Sequence, residues 1–318
     1  MPVIRDPAAR IASILSQAER RLSKEFLLAI ARVRDAASLT TIASLLSQGQ
    51  IEQAMAFAEG LGTRLSTLSN AEFVRAGEST SVLIGQSLPV GVVVDFDQVN
   101  VRAVRQMQDS KLRLIREFSE GQRAATREAV AEGISRGLNP KAQARVFRDS
   151  VGLTERQVRA VNRYRTLLEQ GSSQALDREL RDRRFDRTVR RSVRDRKPLT
   201  KEQVDVMVDR YRERYVAHRA RTIARTEALR AVNAGHNEAY EQGIDSGVLS
   251  REKTLRTWTP AKDDRVRDSH ADMRGQQRKI GEPFITGAGV PIMHPGDPEA
   301  PGSETIQCRC TLAVRTEV

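Results

Sequence analysis

Cysteine and histidine, the side chains that most often hold structural zinc, are concentrated in the last third of the sequence. The two cysteines, Cys308 and Cys310, stand one residue apart near the end, and His270 and His294 precede them. Two thiolates and two imidazoles form a ligand set that tetrahedral zinc accepts, so zinc is the candidate cofactor. The spacing differs from a Cys-x-x-Cys knuckle, and the alternative is a pair of buried cysteines under a strand.

Carboxylates in the same region allow two further interpretations. With the two histidines, Asp263, Asp264 and Glu227 have the chemistry to hold a divalent ion or to act as acid and base. The chain lacks the His-Glu-x-x-His, Walker and Gly-x-Ser-x-Gly motifs. We therefore expect that it is not an enzyme, and the alternative is a metal-dependent nuclease or other hydrolase. We expect instead an ion-pair network that holds a loop onto a helix, with the members Glu227, Asp264, Arg265 and Arg267.

Two strands must position the cysteines and the residues before them. The alternation in Leu255–Thr259 predicts the first strand. In the second, Cys308 and Cys310 share one face with Leu312 and Val314, because side chains two residues apart point to the same side of a strand. A long connection rich in glycine and proline lies between the two strands. Connections of this length within a compact domain are usually functional or partly disordered.

A helix with a stripe of small residues precedes these strands. Over Arg219–Tyr240, small residues recur at steps of three and four, which is one face of a helix. The stripe consists of Ala220, Ala224, Ala228, Ala231, Gly235 and Ala239. It predicts that another backbone packs closely against the helix, with Glu227 at the edge of the packed surface. Gly243 is the expected stop of the helix.

Helical periodicity dominates the earlier part of the chain. Apolar residues at spacings of three and four predict a long amphipathic helix over 7–36, with Asp6 as its N-cap. Thr154 and Thr200 each stand three residues before a glutamine, which is the spacing of a capping box. Residues 88–97 are predicted as a short strand or an extended linker. Further helices are predicted over 40–76, with breaks near Gly49 and Gly60–Gly62, and over 101–119, 121–134 and 140–149.

The charge balance favours anionic partners. The chain of 318 residues has a formal net charge of +12, and the segment 178–197 contains ten basic and four acidic residues. Its apolar residues recur at helical intervals, which predicts a helix with one buried stripe and a basic exterior. We predict contact with the DNA backbone without base reading, and the alternative is a solvated face with ion pairs. The predicted contacts are Arg183, Arg184, Arg187, Arg190, Arg191 and Arg194.

Composition narrows the fold class. Aromatic residues make up 4% of the chain and charged residues 30%, so we expect helix packing lined by alanine and leucine. The predicted fold is mainly α, with an elongated helical body followed by a smaller C-terminal α+β domain that carries the long Gly/Pro-rich loop. The predicted domains are 1–120, 121–215 with the basic segment, and 216–318. No signal peptide or membrane span is predicted, and two cysteines fit a reducing compartment.

An ordered set of short motifs runs through the last third of the chain. It comprises Ile223-Ala-Arg-Thr-Glu227, Asn233-Ala-Gly235, Trp258, Asp264-Arg-Val-Arg-x-x-His270, Gly275, Phe284, Pro291 and Cys308-Arg-Cys310. Together these motifs resemble the C-terminal domain of tailed-phage minor head proteins, the Mu F-like head-morphogenesis family. Two upstream stretches, 152–157 and 181–186, resemble the helical region of the same proteins. The resemblance therefore extends from about residue 120 to the end.

This resemblance implies a virion component that acts in head morphogenesis and in the packaging or delivery of DNA. The implied location is the capsid interior or the portal vertex, reached from the host cytoplasm during assembly. The implied partners are the portal protein, the major capsid protein and packaged double-stranded DNA, contacted without sequence specificity. Multiple copies and no membrane contact in the assembled head are also implied. No catalytic role is carried over from the family.

Overall fold

The computed structural model of the protein describes residues 3–58, 60–90 and 92–317. The chain is mostly helical and carries a small sheet region formed largely by its C-terminal residues, which confirms the predicted fold class. In chain order the elements are β1 Val3–Asp6, α1 Ala8–Ala36, α2 Leu39–Ser47, α3 Ile51–Met55, α4 Gly60–Gln86, α5 Val101–Ser135, α6 Pro140–Ser150, α7 Glu155–Glu169, α8 Asp186–Asp195, α9 Lys201–Asp245, β2 Leu255–Thr259, α10 Asp268–Ala271, β3 Gln277–Lys279, β4 Phe284–Ile285, β5 Pro291–Ile292, α11 Gly302–Thr305 and β6 Thr311–Glu317.

The chain forms two compact units, each made of separate stretches. The first, here called the sheet-bearing unit, comprises Met1–Glu25, Leu65–Leu114 and Arg221–Val318. The second, here called the helical unit, comprises Phe26–Arg64 and Ile115–Ala220. The domains predicted at 1–120, 121–215 and 216–318 stay a prediction.

The four-stranded sheet has the order β1-β6-β2-β3, and every pair of neighbours is antiparallel. The strand β1 comes from the start of the chain, and its pairing with β6 runs from Val3 opposite Glu317 to Asp6 opposite Val314. The sequence did not predict β1. A separate hairpin of β4 and β5 pairs Phe284 with Ile292.

The buried face of the sheet supports two apolar clusters. One contains Trp258, Met273, Phe284, Ile292 and Leu312 together with both cysteines. The other contains Ile4, Ile84, Tyr240, Leu249, Ile280 and Val314. Because Ile4 of β1 and Val314 of β6 both belong to the second cluster, the start and the end of the chain share that core.

The alanine stripe of α9 packs as the sequence predicted. Its small residues are buried, and a Cβ added at Gly235 would lie 2.1 Å from the carbonyl oxygen of Phe73 in α4. That distance is far below contact, so only glycine allows this approach of two helix backbones.

The predicted stop of α9 at Gly243 was wrong. The helix continues to Asp245, and Gly247 takes a left-handed conformation with φ +74°. The Val248 N–H donates to the Gly243 carbonyl (3.1 Å) and the Gly247 N–H to that of Ile244 (2.9 Å), which is the Schellman pattern of a helix end. At Gly243 itself a Cβ would meet the Leu249 side chain at 2.9 Å, so this glycine serves packing.

The long helix α1 confirms the prediction over 7–36, but Asp6 does not cap it. The structure ends β1 at Asp6, and its carboxylate accepts hydrogen bonds from the Arg10 side chain (2.6 and 2.5 Å). Three other predicted caps are present. Asn139 accepts from the Ala142 N–H, and Thr154 and Thr200 each exchange reciprocal bonds with the glutamine three residues later.

Several helix boundaries differ from the prediction. The break at Gly49 is present, with φ +72°, and the break predicted near Gly60–Gly62 coincides with the start of α4 at Gly60. The predicted helices 101–119 and 121–134 are one continuous helix, α5. Residues 88–97 form no strand in the part that the structure describes, which leaves out Gly91; an extended linker fits the rest. Within the basic segment, Asp186–Asp195 is α-helical, and a short 3-10 turn at Arg183–Phe185 precedes it.

Among the described residues, no helix has the length and apolar character that crossing a membrane requires.

Candidate functional site

Three of the predicted metal ligands meet where the chain enters β6, an inner strand of the sheet. His270 lies on the short helix α10, and Cys308 and Cys310 occupy the residues that lead into β6. The Nδ1 atom of His270 is 3.4 Å from the sulfur of each cysteine. All three ligand atoms lie within 4.8 Å of one another, and all three residues are at most 2% exposed.

The far side of the His270 ring faces a carboxylate. Its Nε2 atom lies 3.0 Å from Oε2 of Glu304 on α11, although without the alignment of a good hydrogen bond. The same carboxylate oxygen accepts a hydrogen bond from the Ser269 hydroxyl (2.9 Å). Glu304 was not singled out from the sequence, because its distance of more than thirty residues from His270 gave no signal.

The two thiols polarise one another. The hydrogen bond from the Cys310 thiol lowers the pKa of Cys308 well below its usual value against the effect of burial, and His270 lowers it further. The same bond, together with burial, raises the pKa of Cys310. The Cys310 backbone N–H lies 3.4 Å from the Cys308 sulfur and donates to it. The pair therefore has the chemistry to form a thiolate at one sulfur.

Apolar side chains enclose this cluster. The ring of Trp258 meets the ring of His270 edge-on at 5.4 Å between centroids, and the ring of Phe284 also meets that of Trp258, at 5.3 Å between centroids. Both cysteines belong to the same buried cluster as these aromatic residues. Exposure of at most 2% leaves no direct path for a large substrate to reach the sulfur atoms.

The fourth predicted ligand, His294, is not brought into this group. It is buried beside β5, and its Nδ1 lies 3.2 Å from the Pro295 carbonyl oxygen. Burial lowers the pKa of His294 below its usual value. The next turn is held by Asp297, which accepts from the Met293 N–H (2.8 Å). His294 therefore belongs to the packing of the Gly/Pro-rich loop.

The predicted network of Glu227, Asp264, Arg265 and Arg267 is not assembled. Glu227 is buried in α9 and accepts from Arg113 and Arg230, each at 2.8 Å. Asp264 and Arg265 lie in an exposed turn. Arg267 donates instead to the Ile306 carbonyl. No ion pair joins these four residues within residues 3–58, 60–90 and 92–317, because the buried Glu227 is satisfied by arginines of α5 and α9.

A buried arginine on β2 was missed by sequence reasoning. Arg256 is 1% exposed and donates to the carbonyl oxygens of Met293 (2.7 Å), Lys279 (3.1 Å) and Glu282. Its guanidinium lies over the ring of Phe284, 5.1 Å from the centroid. Burial lowers the pKa of Arg256 to about 10. The available signal was its position two residues before Trp258, which places both side chains on one face of the strand.

A second buried polar cluster joins the start of the chain to α9. Asp6 is 1% exposed, and its carboxylate lies 2.9 Å from His236 Nε2 and accepts from the Tyr240 hydroxyl (3.4 Å). Burial alone would raise the pKa of Asp6, but the hydrogen bonds from Arg10 and His236 outweigh it and hold the pKa at about 2. Nothing in the sequence pairs residue 6 with residue 236.

The basic segment divides into paired and unpaired arginines. Arg184 pairs with Asp182 (2.5 Å), Arg190 with Asp186 (3.6 Å) and Arg194 with Asp195 (2.7 Å). The other three predicted DNA contacts are exposed and make no ion pair with any residue of the described chain; they are Arg183, Arg187 and Arg191. Arg187, Arg190, Arg191 and Arg194 follow helical spacing on α8 and therefore lie on one face.

Comparison with known proteins finds a family match in the C-terminal third of the chain. Residues 197–313 match the family described as Phage Mu protein F like protein. Within this region the resemblance to Mu F-like phage head proteins that the sequence predicted is confirmed. The matched region contains α9, the sheet strands after it and the His270–Cys308–Cys310 cluster. The wider resemblance, upstream of residue 197, stays a prediction.

A relative from Bacillus subtilis (strain 168), the uncharacterized protein YqbB, is 33% identical to the chain over 96 residues. Those residues cover 30% of this chain and 30% of the relative's length. No solved structure gives a significant match to the chain.

Proposed function

We propose that the protein is a minor head protein that acts in head morphogenesis at the capsid interior or the portal vertex. The observation that carries this proposal is the family match over residues 197–313. The partners proposed with it are the portal protein, the major capsid protein and the packaged double-stranded DNA. The protein would be present in several copies and would assist DNA packaging or delivery.

Mass spectrometry of purified phage heads tests the location and the copy number. We expect the chain in mature or precursor heads at a fixed low copy number, on the order of the portal ring. Cross-links to the portal protein, above those to the major capsid protein, would favour the portal vertex. Absence from all head fractions, with the protein present in infected cells, would contradict the proposal.

We propose that contact with DNA is made through the unpaired arginines of the basic segment. Arg183, Arg187 and Arg191 are exposed, and no carboxylate of the described chain pairs with them. Arginines of this kind neutralise phosphates and release counterions, so the affinity they give is independent of sequence and steeply dependent on salt.

The test compares two triple variants of equal charge. One replaces Arg183, Arg187 and Arg191 with glutamine, and the other replaces the exposed Arg105, Arg116 and Arg274 with glutamine. Fluorescence anisotropy with two duplexes of unrelated sequence is recorded from 50 to 200 mM salt, a range over which phosphate contacts change affinity strongly. We expect the first variant alone to lose about tenfold in affinity and to have a salt slope shallower by about 2 to 3. Equal losses in both variants would refute the specific contact.

We propose that the protein has no catalytic role in the head. The support is the burial of His270, Cys308 and Cys310, which are at most 2% exposed and closed to a DNA phosphate. Incubation of the purified protein with plasmid DNA and Mg²⁺, Mn²⁺ or Zn²⁺ tests this. Nicking that disappears in His270→Gln, in protein with unchanged circular dichroism, would establish the hydrolase alternative.

A further inference from the structure

We propose that His270 Nδ1 and the sulfur atoms of Cys308 and Cys310 bind one Zn²⁺ ion, and that Glu304 orients His270 for this role. The site is structural and independent of the proposed DNA contact. It excludes His294, which the sequence had grouped with these residues.

The distances between the three ligand atoms fit a tetrahedral zinc site. Zinc–sulfur bonds of about 2.3 Å and a zinc–nitrogen bond of about 2.0 Å at a tetrahedral angle place sulfur and nitrogen about 3.5 Å apart. In the structure, both sulfur atoms are 3.4 Å from His270 Nδ1. All three ligand atoms lie within 4.8 Å of one another, so they surround one point that a metal can reach with small side-chain adjustments.

The charge of the site suits its surroundings. Two thiolates balance the charge of Zn²⁺, and a neutral imidazole adds none, so the complex of these four groups is uncharged. A neutral complex is the form that can be buried among Trp258, Met273 and Phe284, which belong to the same apolar cluster as the cysteines.

Glu304 supplies the partner that zinc-binding histidines commonly have. With Nδ1 bound to zinc, the second ring nitrogen, Nε2, would face the Glu304 carboxylate, which lies 3.0 Å away and needs only a small reorientation to accept a hydrogen bond. A carboxylate there fixes the tautomer and the ring orientation and makes the imidazole a stronger ligand. Ser269 in turn donates to Glu304 and holds it in place.

The position of the site in the chain gives the metal a structural task. His270 and the cysteines are 38 and 40 residues apart, and the Gly/Pro-rich connection with its small β4–β5 hairpin lies between them. His270 sits on a helix of only four residues, Asp268–Ala271. Such a helix has little stability of its own, so a bond from its histidine to the start of β6 would hold the connection closed. The fourth position of the tetrahedron is left to a ligand from outside this group, such as water.

The first experiment uses the full, untagged chain purified with a reducing agent from cells supplied with zinc. We expect elemental analysis to give about one zinc ion per chain. Replacement by Co²⁺ should give the visible bands of a tetrahedral ion together with a thiolate-to-cobalt charge-transfer band in the near ultraviolet. Metal-free protein of unchanged thermal stability would overturn the proposal, as would octahedral cobalt bands. A disulfide between Cys308 and Cys310 in protein isolated from heads would also overturn it.

Single variants test the ligand set. Cys308→Ser, Cys310→Ser and His270→Gln should each reduce bound zinc at least about tenfold, whereas the matched control His294→Gln, also at a buried histidine, should keep it. Loss of zinc in a folded His294→Gln protein would overturn the three-residue set. Because the ligand variants can unfold, the cobalt spectrum of the unmutated chain provides an independent decision.

Glu304→Gln tests the positioning residue. We expect this variant to bind one zinc ion with an affinity about 10- to 100-fold lower in competition with a chelator, since the oriented ring is lost while the ligands remain. The cobalt bands should keep their tetrahedral form. An affinity equal to that of the unmutated protein would remove Glu304 from the site.

Discussion

The sheet-bearing unit and the basic segment 178–197 use charged side chains in different ways. In the sheet-bearing unit, several buried charged side chains meet partners far away in the chain; the buried Asp6 and His236 are 230 residues apart, and the buried Glu238 is 136 residues from its partner Arg102. In the basic segment, arginines pair with carboxylates one to five residues away, as Arg181 does with Asp186. Arg183, Arg187 and Arg191 are exposed and make no ion pair with any residue of the described chain.

This difference indicates which charged side chains the folded structure depends on. A buried charge that loses one partner leaves desolvated atoms without compensation, so each buried group depends on the complete tertiary structure. When an exposed pair between sequence neighbours is broken, water replaces the lost contacts, so the free energy of unfolding changes little. We therefore expect charge removal to disrupt the sheet-bearing unit and to leave the basic segment folded and available for binding.

Removal of Arg256 should have the largest effect on stability. Arg256→Met leaves the carbonyl oxygens of Met293, Lys279 and Glu282 without their donor, and we expect a loss of about 3 to 5 kcal/mol in the free energy of unfolding. Urea unfolding followed by the fluorescence of Trp258, the only tryptophan, reports on the sheet-bearing unit, which contains Arg256. Arg256→Lys keeps a charge and should recover part of the loss. A loss below about 1 kcal/mol would contradict the expectation that buried charges stabilise the sheet-bearing unit more than exposed charges stabilise the basic segment.

Removal of the Asp6 charge should have an intermediate effect that depends on pH. The folded pKa of Asp6, about 2, lies below its ordinary value of 3.8. The stability from this shift is therefore complete above the ordinary value and disappears as pH falls through about 2. At pH 7, Asp6→Asn should lose about 2 kcal/mol relative to the unmutated chain.

Stability of the two proteins is measured by urea unfolding at several pH values from 7 to 2. The gap between them should narrow steadily below pH 4, because protonation removes the charge from Asp6 in the unmutated chain as well. A gap of constant size would show that the charge of Asp6 does not account for the loss.

Substitutions in the basic segment should have the smallest effects. Arg190→Gln removes a contact of 3.6 Å between an exposed arginine and Asp186, and should cost about 1 kcal/mol or less. Arg194→Gln removes a fully exposed pair with its neighbour Asp195, and we expect no measurable change in the thermal midpoint of the helical unit. A destabilisation as large as that of Arg256→Met would show that buried and exposed charge are equivalent here.

Local sequence pattern determined much of this protein by itself. The long helix α1, the caps at Asn139, Thr154 and Thr200, and the strand β2 follow from interactions between residues a few positions apart. The alanine stripe of α9 likewise predicted a closely packed backbone, although not that α4 supplies it. The short motifs were sufficient to indicate the family, since their residues and order are written in the chain.

Only the tertiary structure decided which distant residues meet. It paired β1 with β6, placed Asp6 against His236, and gave Glu227 to Arg113 and Arg230 in place of the predicted network. It also joined His270 to the two cysteines, excluded His294 and brought Glu304 behind the ring. Periodicity and residue type do not encode these choices, because a buried polar group accepts any partner of suitable chemistry. Packing of the whole chain determines which partner reaches it.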